Sequence, residues 1–445
     1  MAAVLLGGLL ALALPPFPLG VLLPLGLAWV LARPRGFRFG FLLGLGFWGV
    51  HIGWLPASFA AWFGPWGVVP FALLVAFLAS LWGGLFALFG RVPLALAGAW
   101  VGLEWLLAQG PLSFPWGYLG YALVPAGGRV LAAWVGVWGL SLLVLLIAAL
   151  LARRRYWALA PWLLLWVWPL PPARPGAQAL VVQAAINPLA KFQGAEASRR
   201  YLELTRAGLA AHPEVRLVVW PETAVARLPQ GTAAVLGDRT LIYGTWGPGP
   251  RNEVRLWRRG RDRAVYAKRR LVPFGEFFPG RAVFAPVYGF FFRAFGLAPL
   301  ADLRPGRAPA LLGRAAAFVC YEADYPDLVR GLANRGARWL VNVSNDAWFG
   351  VGYGRAQHLA MARMRAVEEG RWLLRAANDG ISASIDPYGR VAARSRVGRP
   401  QALLAPYREL EGRTFYARFG ELPVLGAAWL VLLTGLLENA SRRSR

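Results

Sequence analysis

Cysteine and lysine are nearly missing from this 445-residue chain. Cysteine occurs once, at Cys320. A single thiol excludes an internal disulfide, so Cys320 is either a small core residue or a reactive nucleophile. Of the 48 basic residues only Lys191 and Lys268 are lysine, and the rest are arginine. Where arginine has displaced lysine almost everywhere, a surviving lysine points to work that arginine cannot do. Guanidinium is delocalised and permanently charged, whereas an ammonium is compact and its pKa can be tuned. Histidine occurs three times, at His51, His212 and His358, with no Cys/His cluster. That argues against a zinc or iron site, and neither a metal nor another cofactor is expected. Charge is scarce as well: 16% of residues are charged and 57% hydrophobic, too apolar for an ordinary soluble protein of this length. The net charge is +26. Part of the excess lies beside apolar segments, which points to an anionic lipid surface rather than to nucleic acid, for which no motif is present.

What the chain does contain is long apolar sequence. Residues 1–170 are almost continuously hydrophobic, broken by short Arg, Pro or Gly punctuation. The pattern predicts seven membrane helices, at about 2–15, 17–32, 39–57, 66–90, 92–108, 129–152 and 156–170, and an eighth at about 421–438. Arginines cluster at Arg33, Arg35 and Arg38, at Arg91, at Arg153, Arg154 and Arg155, and at Arg442, Arg443 and Arg445. With the N-terminus in the cytoplasm, an eight-helix count puts all four clusters inside, as the positive-inside rule requires. The loops at 58–65 and 109–128 then face outward, as does everything from 171 to 420. The expected organisation is a multi-helix membrane bundle of about eight spans with an extracytoplasmic α/β domain. Its parts are residues 1–170, the soluble domain 171–420, and a closing helix with a basic cytoplasmic tail, 421–445.

The segment 171–420 opens with a Pro-rich linker at 169–175 and then alternates short β-type runs with helix-like ones. Strands are predicted at 179–186, 217–220, 240–244, 263–268, 315–321, 339–344 and 381–386. Helices are predicted at 194–211, 324–336 and 355–370. Glu222, Lys268 and Cys320 each fall at or just past the end of a β-type run, so all three are expected to meet at one edge of the sheet. A carboxylate takes the thiol proton, the thiolate attacks, and an ammonium holds first the thiolate and then an oxyanion. That set makes covalent acyl transfer without a metal. Each residue alone has a structural explanation: Glu222 as a helix cap, Lys268 as surface charge beside Arg269 and Arg270.

Several strings carry a resemblance. They are Trp220-Pro221-Glu222-Thr223, Lys268-Arg269-Arg270-Leu271-Val272-Pro273-Phe274-Gly275-Glu276, Val319-Cys320-Tyr321-Glu322 and Ser344-Asn345-Asp346-Ala347-Trp348-Phe349, followed by Gln357-His358 through Asn378-Asp379-Gly380. In this order they resemble the nitrilase superfamily, and with the flanking apolar helices the chain is similar to the apolipoprotein N-acyltransferase family. The resemblance implies a nitrilase-like αββα sandwich for the α/β domain. It implies Cys320 as nucleophile, Glu222 as general base and Lys268 as stabiliser of the tetrahedral intermediate. Glu276 would orient Lys268, and Tyr321, Glu322 and Trp348 would support the site. It implies a phospholipid acyl donor, a diacylglyceryl-modified apolipoprotein acceptor, and a monomeric, multi-pass protein of the bacterial cytoplasmic (inner) membrane with its catalytic domain on the periplasmic side. There are departures: Gln183-Ala184-Ala185-Ile186-Asn187-Pro188 stands where the family commonly has Gln-Gly-Asn-Ile-Pro, and Phe192 where it often has Trp.

Three further features invite a role. The aromatic, Pro/Gly-broken stretch 277–300 is either an arm that dips into the membrane interface or an apolar loop packed on the helices. The arginines 251, 255, 258, 259, 261 and 263 either attract anionic headgroups or form a solvated face. Glu104 lies inside a predicted membrane helix, where an acid is functional by default unless the helix ends there. Two other readings of the whole chain stay open: a membrane-anchored amidase that passes its acyl group to water, and a non-enzymatic membrane scaffold with a binding domain.

Overall fold

The computed structural model describes residues 1–186, 195–294, 302–350 and 352–444. The chain divides into two compact units: Met1–Leu170 with Val351–Ala360 and Phe419–Arg445, and Pro171–Gly350 with Met361–Arg418. The segment 351–360, expected inside the α/β domain, thus groups with the first unit.

The first unit is helical. Its elements are α1 (Ala2–Ala11), α2 (Leu23–Leu31), α3 (Phe37–His51), α4 (Leu55–Phe63), α5 (Val68–Phe89), α6 (Pro93–Leu106), α7 (Ala132–Ala152), α8 (Leu159–Val167) and the final helix Leu422–Arg443. Among the described residues, three helices are long and apolar enough to cross a membrane: Gly64–Phe89, Gly127–Ala152 and Leu422–Ser441. Small residues let these helices pack backbone to backbone. A Cβ on Gly7 of α1 would lie 2.0 Å from the Leu43 carbonyl oxygen of α3, and one on Gly46 of α3 would lie 1.9 Å from that of Val4.

Three expectations change here. The predicted helix 39–57 ends at His51, and the expected loop 58–65 is largely helix, because Pro56 sits at the start of α4, where its missing N–H is no loss. The expected outer loop 109–128 folds inward as 3₁₀ turns, with Trp116, Tyr118 and Tyr121 buried. Its backbone is satisfied from within: Leu119 N–H donates to Glu104 Oε1 at 2.9 Å, and Gly120 N–H to Ser141 Oγ at 2.8 Å. Glu104 therefore acts as an internal clamp. Finally, the last helix runs on through Arg443, so the expected tail is mostly helical.

Gln357 forms a second knot in this unit. Its Oε1 accepts both Trp54 Nε1–H and Trp116 Nε1–H at 2.9 Å, and its Nε2 donates to the His51 carbonyl at 2.9 Å.

The second unit is built on two six-stranded sheets. Sheet one, in the order β12-β1-β2-β3-β4-β5, comprises β1 (Ala177–Gln183), β2 (Leu217–Val219), β3 (Thr240–Gly247), β4 (Arg251–Arg258), β5 (Arg261–Ala267) and β12 (Gln401–Tyr407). Sheet two, in the order β11-β10-β9-β8-β7-β6, comprises β6 (Leu311–Leu312), β7 (Ala315–Val319), β8 (Trp339–Ser344), β9 (Leu373–Ala377), β10 (Ala383–Ile385) and β11 (Val391–Arg394). Each sheet has a parallel centre, β1-β2-β3 in one and β7-β8-β9 in the other, with antiparallel strands outside. In the second sheet those central strands are mostly apolar and buried on both sides, as parallel strands are, with Asn342, Ser344 and Arg375 as buried polar exceptions. The sheets pack face to face through β1 and β12 against β9, β10 and β11. Helix Ala195–Ala211 covers β1 and β12 from outside, and helix Pro326–Ala333 covers β7, giving an αββα layering.

Candidate active site

Glu222 leaves sheet one at the end of β2. Trp220 anchors the exit: its Nε1–H donates to Thr205 Oγ1 at 2.9 Å and its ring stacks on Tyr201 at 5.5 Å. Gly244 of β3 donates its N–H to the Pro221 carbonyl at 3.1 Å, and only glycine fits there, since a Cβ would stand 2.6 Å from the Glu222 Cα. The carboxylate accepts Asn252 Nδ2–H at 2.6 Å. The Asn252 carbonyl in turn accepts the Lys268 N–H at 2.8 Å. One buried asparagine on β4 thus joins the base-candidate side chain to the lysine backbone, which bridges the two strands lying between β2 and β5 on one side.

Lys268 follows β5 and is 1% exposed. Its Nζ donates to Glu276 Oε1 at 2.8 Å and stands 3.7 Å from Glu222 Oε1. Glu276 Oε2 accepts the Val272 N–H at 2.8 Å, so the loop that carries Glu276 also aims it. Burial alone would push the Lys268 ammonium down, but the charges of Glu276 and Glu222 outweigh it and hold the group above its ordinary range.

Cys320 follows β7 on the other sheet. The expected convergence at one sheet edge is therefore corrected: Glu222 and Lys268 come from sheet one and Cys320 from sheet two. The half-buried Cys320 has φ of 48°, a left-handed conformation that costs a non-glycine residue about 1–3 kcal/mol. Thr223 and Phe274, in the two other site loops, also have positive φ. Burial and the Glu222 carboxylate push the thiol well up, Lys268 pulls it down, Asp346 pushes it up, and a hydrogen bond to Ser344 pulls it down. The net direction favours the protonated sulfur.

Glu322 ties the two sheets together at this point. Its Oε1 accepts Tyr266 Oη–H at 2.8 Å and the N–H groups of Arg269 at 2.7 Å and Arg270 at 3.1 Å, while its Oε2 accepts the Val319 N–H at 2.7 Å. The exits of the lysine strand and the cysteine strand are thereby pinned to one carboxyl group. Burial raises the Glu322 pKa, with the Val319 and Arg269 amides opposing it. Tyr321 is buried edge-to-face against Tyr325 at 5.2 Å. Trp348 lies in the 3₁₀ turn Asp346–Phe349 and is half-buried.

Asn252 was not singled out in the sequence, where it sits between Arg251 and Glu253 in a strand read as a basic cluster. Two of its six arginines are ion-paired within the sheet unit: Arg255 with Glu253 at 2.8 Å and Asp262 at 2.9 Å, and Arg259 with Asp238 at 2.8 Å. Asn187, Pro188, Lys191 and Phe192, and the end of the aromatic stretch from 295 to 300, lie outside the described residues.

Comparison with known proteins agrees with this architecture. Residues 6–150 match the Apolipoprotein N-acyltransferase N-terminal domain, and residues 251–403 match the Carbon-nitrogen hydrolase family, which takes in Lys268 and Cys320. The apolipoprotein N-acyltransferase of Pseudomonas putida is 32% identical, covering 99% of this chain and 96% of its own. That of Methylococcus capsulatus is 33% identical, covering 96% and 94%. That of Azotobacter vinelandii is 34% identical, covering 73% and 69%. With relatives of that similarity spanning nearly its whole length, this chain belongs to the apolipoprotein N-acyltransferase family, within the nitrilase superfamily.

Proposed function

We propose that Glu222, Lys268 and Cys320 are the acyl-transfer centre of a phospholipid-dependent lipoprotein N-acyltransferase. The observation that carries this is the lysine held between two carboxylates beside the only cysteine of the chain. The Cys320 sulfur attacks the ester carbonyl of a phospholipid while its proton passes to Glu222. Lys268 stabilises the oxyanion, aimed by Glu276. The C–O bond breaks, the lysophospholipid oxygen takes the proton from Glu222, and a thioester remains on Cys320. The α-amino group of a diacylglyceryl-cysteine N-terminus then attacks the thioester and gives a proton to Glu222. The C–S bond breaks, the sulfur recovers the proton, and the acceptor leaves as an amide. An ester and an amine become an alcohol and an amide, with no external energy source. Tyr321, Glu322 and Trp348 support the site, Glu322 by holding the Lys268 and Cys320 strand exits in register.

The placement follows from the apolar helices and the arginine clusters. Residues 1–170 form the multi-pass membrane domain of about seven spans, 171–420 the catalytic domain on the extracytoplasmic side of a bacterial inner membrane, and 421–445 the closing span with its basic end inside. Helix Arg281–Ala294 is the interfacial arm: Val283, Phe284, Val287 and Phe290 are exposed along it, while Phe278 packs on Tyr288 and Phe292. The protein acts as a monomer and does not engage nucleic acid.

Two-substrate kinetics with a phospholipid donor and a diacylglyceryl-cysteine peptide test the reading. Parallel double-reciprocal lines are expected from the covalent intermediate. Intersecting lines would count against it, and fatty acid release with no acylated peptide would favour the amidase alternative.

A further inference from the structure

β7 and β8 run parallel with Val319 opposite Val343, so the next step of the ladder sets Cys320 beside Ser344. The two side chains are hydrogen-bonded. β9 continues the sheet with Asn342 opposite Arg375. Phe318, Asn342, Ser344 and Arg375 therefore share one face, because side chains alternate along each strand. A closed polar chain lies on that face. Ser344 Oγ donates to Asp346 Oδ1 at 2.6 Å, and Arg375 Nη2 donates to both Asp346 oxygens at 2.7 Å. Arg375 also donates to Asn342 Oδ1, and Asn342 Nδ2 donates to the Phe318 carbonyl at 3.1 Å. Ser344, Asp346, Asn342 and Arg375 are all fully buried. A buried ion pair adds little net stability over apolar side chains of the same volume. Here one is built beside the nucleophile candidate and reaches it through a single hydroxyl.

We infer that Ser344 is a positioning residue for Cys320, whose one hydroxyl proton rests on Asp346 while the sulfur is protonated and turns to the sulfur when Glu222 has removed that proton. The inference rests on Cys320 being the nucleophile of the centre proposed above. A hydroxyl has one proton to donate and two lone pairs to accept with. In the resting state its proton is committed to Asp346, leaving a lone pair for the Cys320 S–H. After ionisation the same hydroxyl becomes a donor to the thiolate. Arg375 clamps both oxygens of Asp346 and so fixes the acceptor from which Ser344 must turn. The charged groups facing Cys320 are Glu222 from the end of β2, Lys268 from the end of β5 with Glu276 behind it, and Asp346 from the turn after β8. Glu222 and Asp346 oppose the thiolate, while Lys268 and Ser344 favour it.

The lone cysteine makes the test site-specific, since any thiol label on the full-length protein in detergent reports on Cys320. Iodoacetamide alkylation is followed against pH, alongside the rate of acyl-enzyme formation from phospholipid. Ser344→Ala is expected to move the alkylation midpoint to higher pH and to slow acylation about ten-fold or more, as loss of a hydrogen bond to a charged group does. Ser344→Thr, which keeps the hydroxyl, is expected to restore both. Asp346→Asn is expected to move the midpoint the other way, to lower pH, because a repelling charge is gone. A packing defect does not shift a thiol in opposite directions at two adjacent links. Should Asp346→Asn fail to fold with Arg375 left unpaired, the Ala/Thr pair at 344 still decides. An unchanged profile and rate in Ser344→Ala, or no rescue by Thr, overturns the inference while leaving the nucleophile reading intact. Acyl transfer by Cys320→Ala would instead bring down the reading beneath it.

Discussion

In the helical unit, Leu73, Phe77 and Leu88 of α5 and Trp429, Leu430 and Leu437 of the last helix stand exposed, while in the sheet unit Arg365, Arg375, Asp346 and Glu368 are fully buried. The two units invert the usual rule in opposite ways. The first turns apolar side chains outward because the solvent proposed around it is hydrocarbon, and it keeps its few polar groups inside as clamps, as Glu104 and Gln357 do. The second buries a set of charged side chains within an otherwise apolar core. Buried charge stabilises poorly, so the charged groups that act on Cys320 fit the acyl-transfer centre proposed there.

Substitutions at either end of that contrast sharpen or break it. The largest effect is expected at Cys320: Cys320→Ala lowers acyl transfer by more than about 10³-fold with the melting curve unchanged, as loss of a nucleophile does. Next is Lys268→Arg. It keeps the charge but not the compact ammonium seated against Glu276, and a loss of about 10²–10³-fold in acylation rate is expected from a displaced oxyanion donor.

The helical unit answers through insertion instead. Phe77→Arg, at a position 51% exposed in α5, is expected to cost about 2.5–3.5 kcal/mol in membrane insertion, read as the fraction of protein recovered in membranes. Val397→Arg, at a position 43% exposed in the sheet unit, is expected to change stability by no more than about 0.5 kcal/mol. Equal effects at the two sites would erase the contrast.

A pH dependence follows from Glu369. Burial, with Glu368 beside it, lifts its pKa from 4.5 to about 8. A carboxyl raised in the fold binds its proton more tightly folded than unfolded. Its contribution is complete below the unfolded value and is lost as pH rises toward about 8. The melting temperature is expected to fall across that window in the wild type and to fall less in Glu369→Gln. The smallest effect on activity is expected at the arm. Replacing Phe284, Val287 and Phe290 by Ser lowers turnover of bilayer phospholipid several-fold, on the scale of about one buried methylene group, and leaves turnover of a short soluble ester unchanged. Equal losses on both donors would remove the arm from lipid handling.

Much of this was legible before the structure, and the reasons differ by residue. Cys320 and Lys268 stood out by rarity. Strands β2, β7 and β8 stood out as short apolar runs, since a strand buried on both faces needs no polar alternation. Strand β4 was missed because Arg251–Arg258 mixes Arg, Asn, Glu and Trp, its arginines being paired locally with Glu253 and Asp262. Strand β12 was missed because Pro406 argues against a ladder, yet β12 is the edge of sheet one, where proline is tolerated. Strand β9 was hidden by Arg375, a charge that reads as surface until its partner Asp346 is seen across the sheet. Glu322 was flagged only by resemblance. Its work is largely tertiary: three of its four hydrogen bonds reach a segment more than fifty residues away, and no local pattern announces that.

Residues from two sheets are proposed to form one centre that carries an acyl group on Cys320. Intact-mass analysis of the full-length protein after incubation with a phospholipid bearing a labelled acyl chain tests it directly. A single labelled acyl adduct is expected, released by hydroxylamine, absent from Cys320→Ala and discharged by a diacylglyceryl-cysteine peptide. Active, folded protein that transfers label to the peptide with no adduct on Cys320 would contradict it.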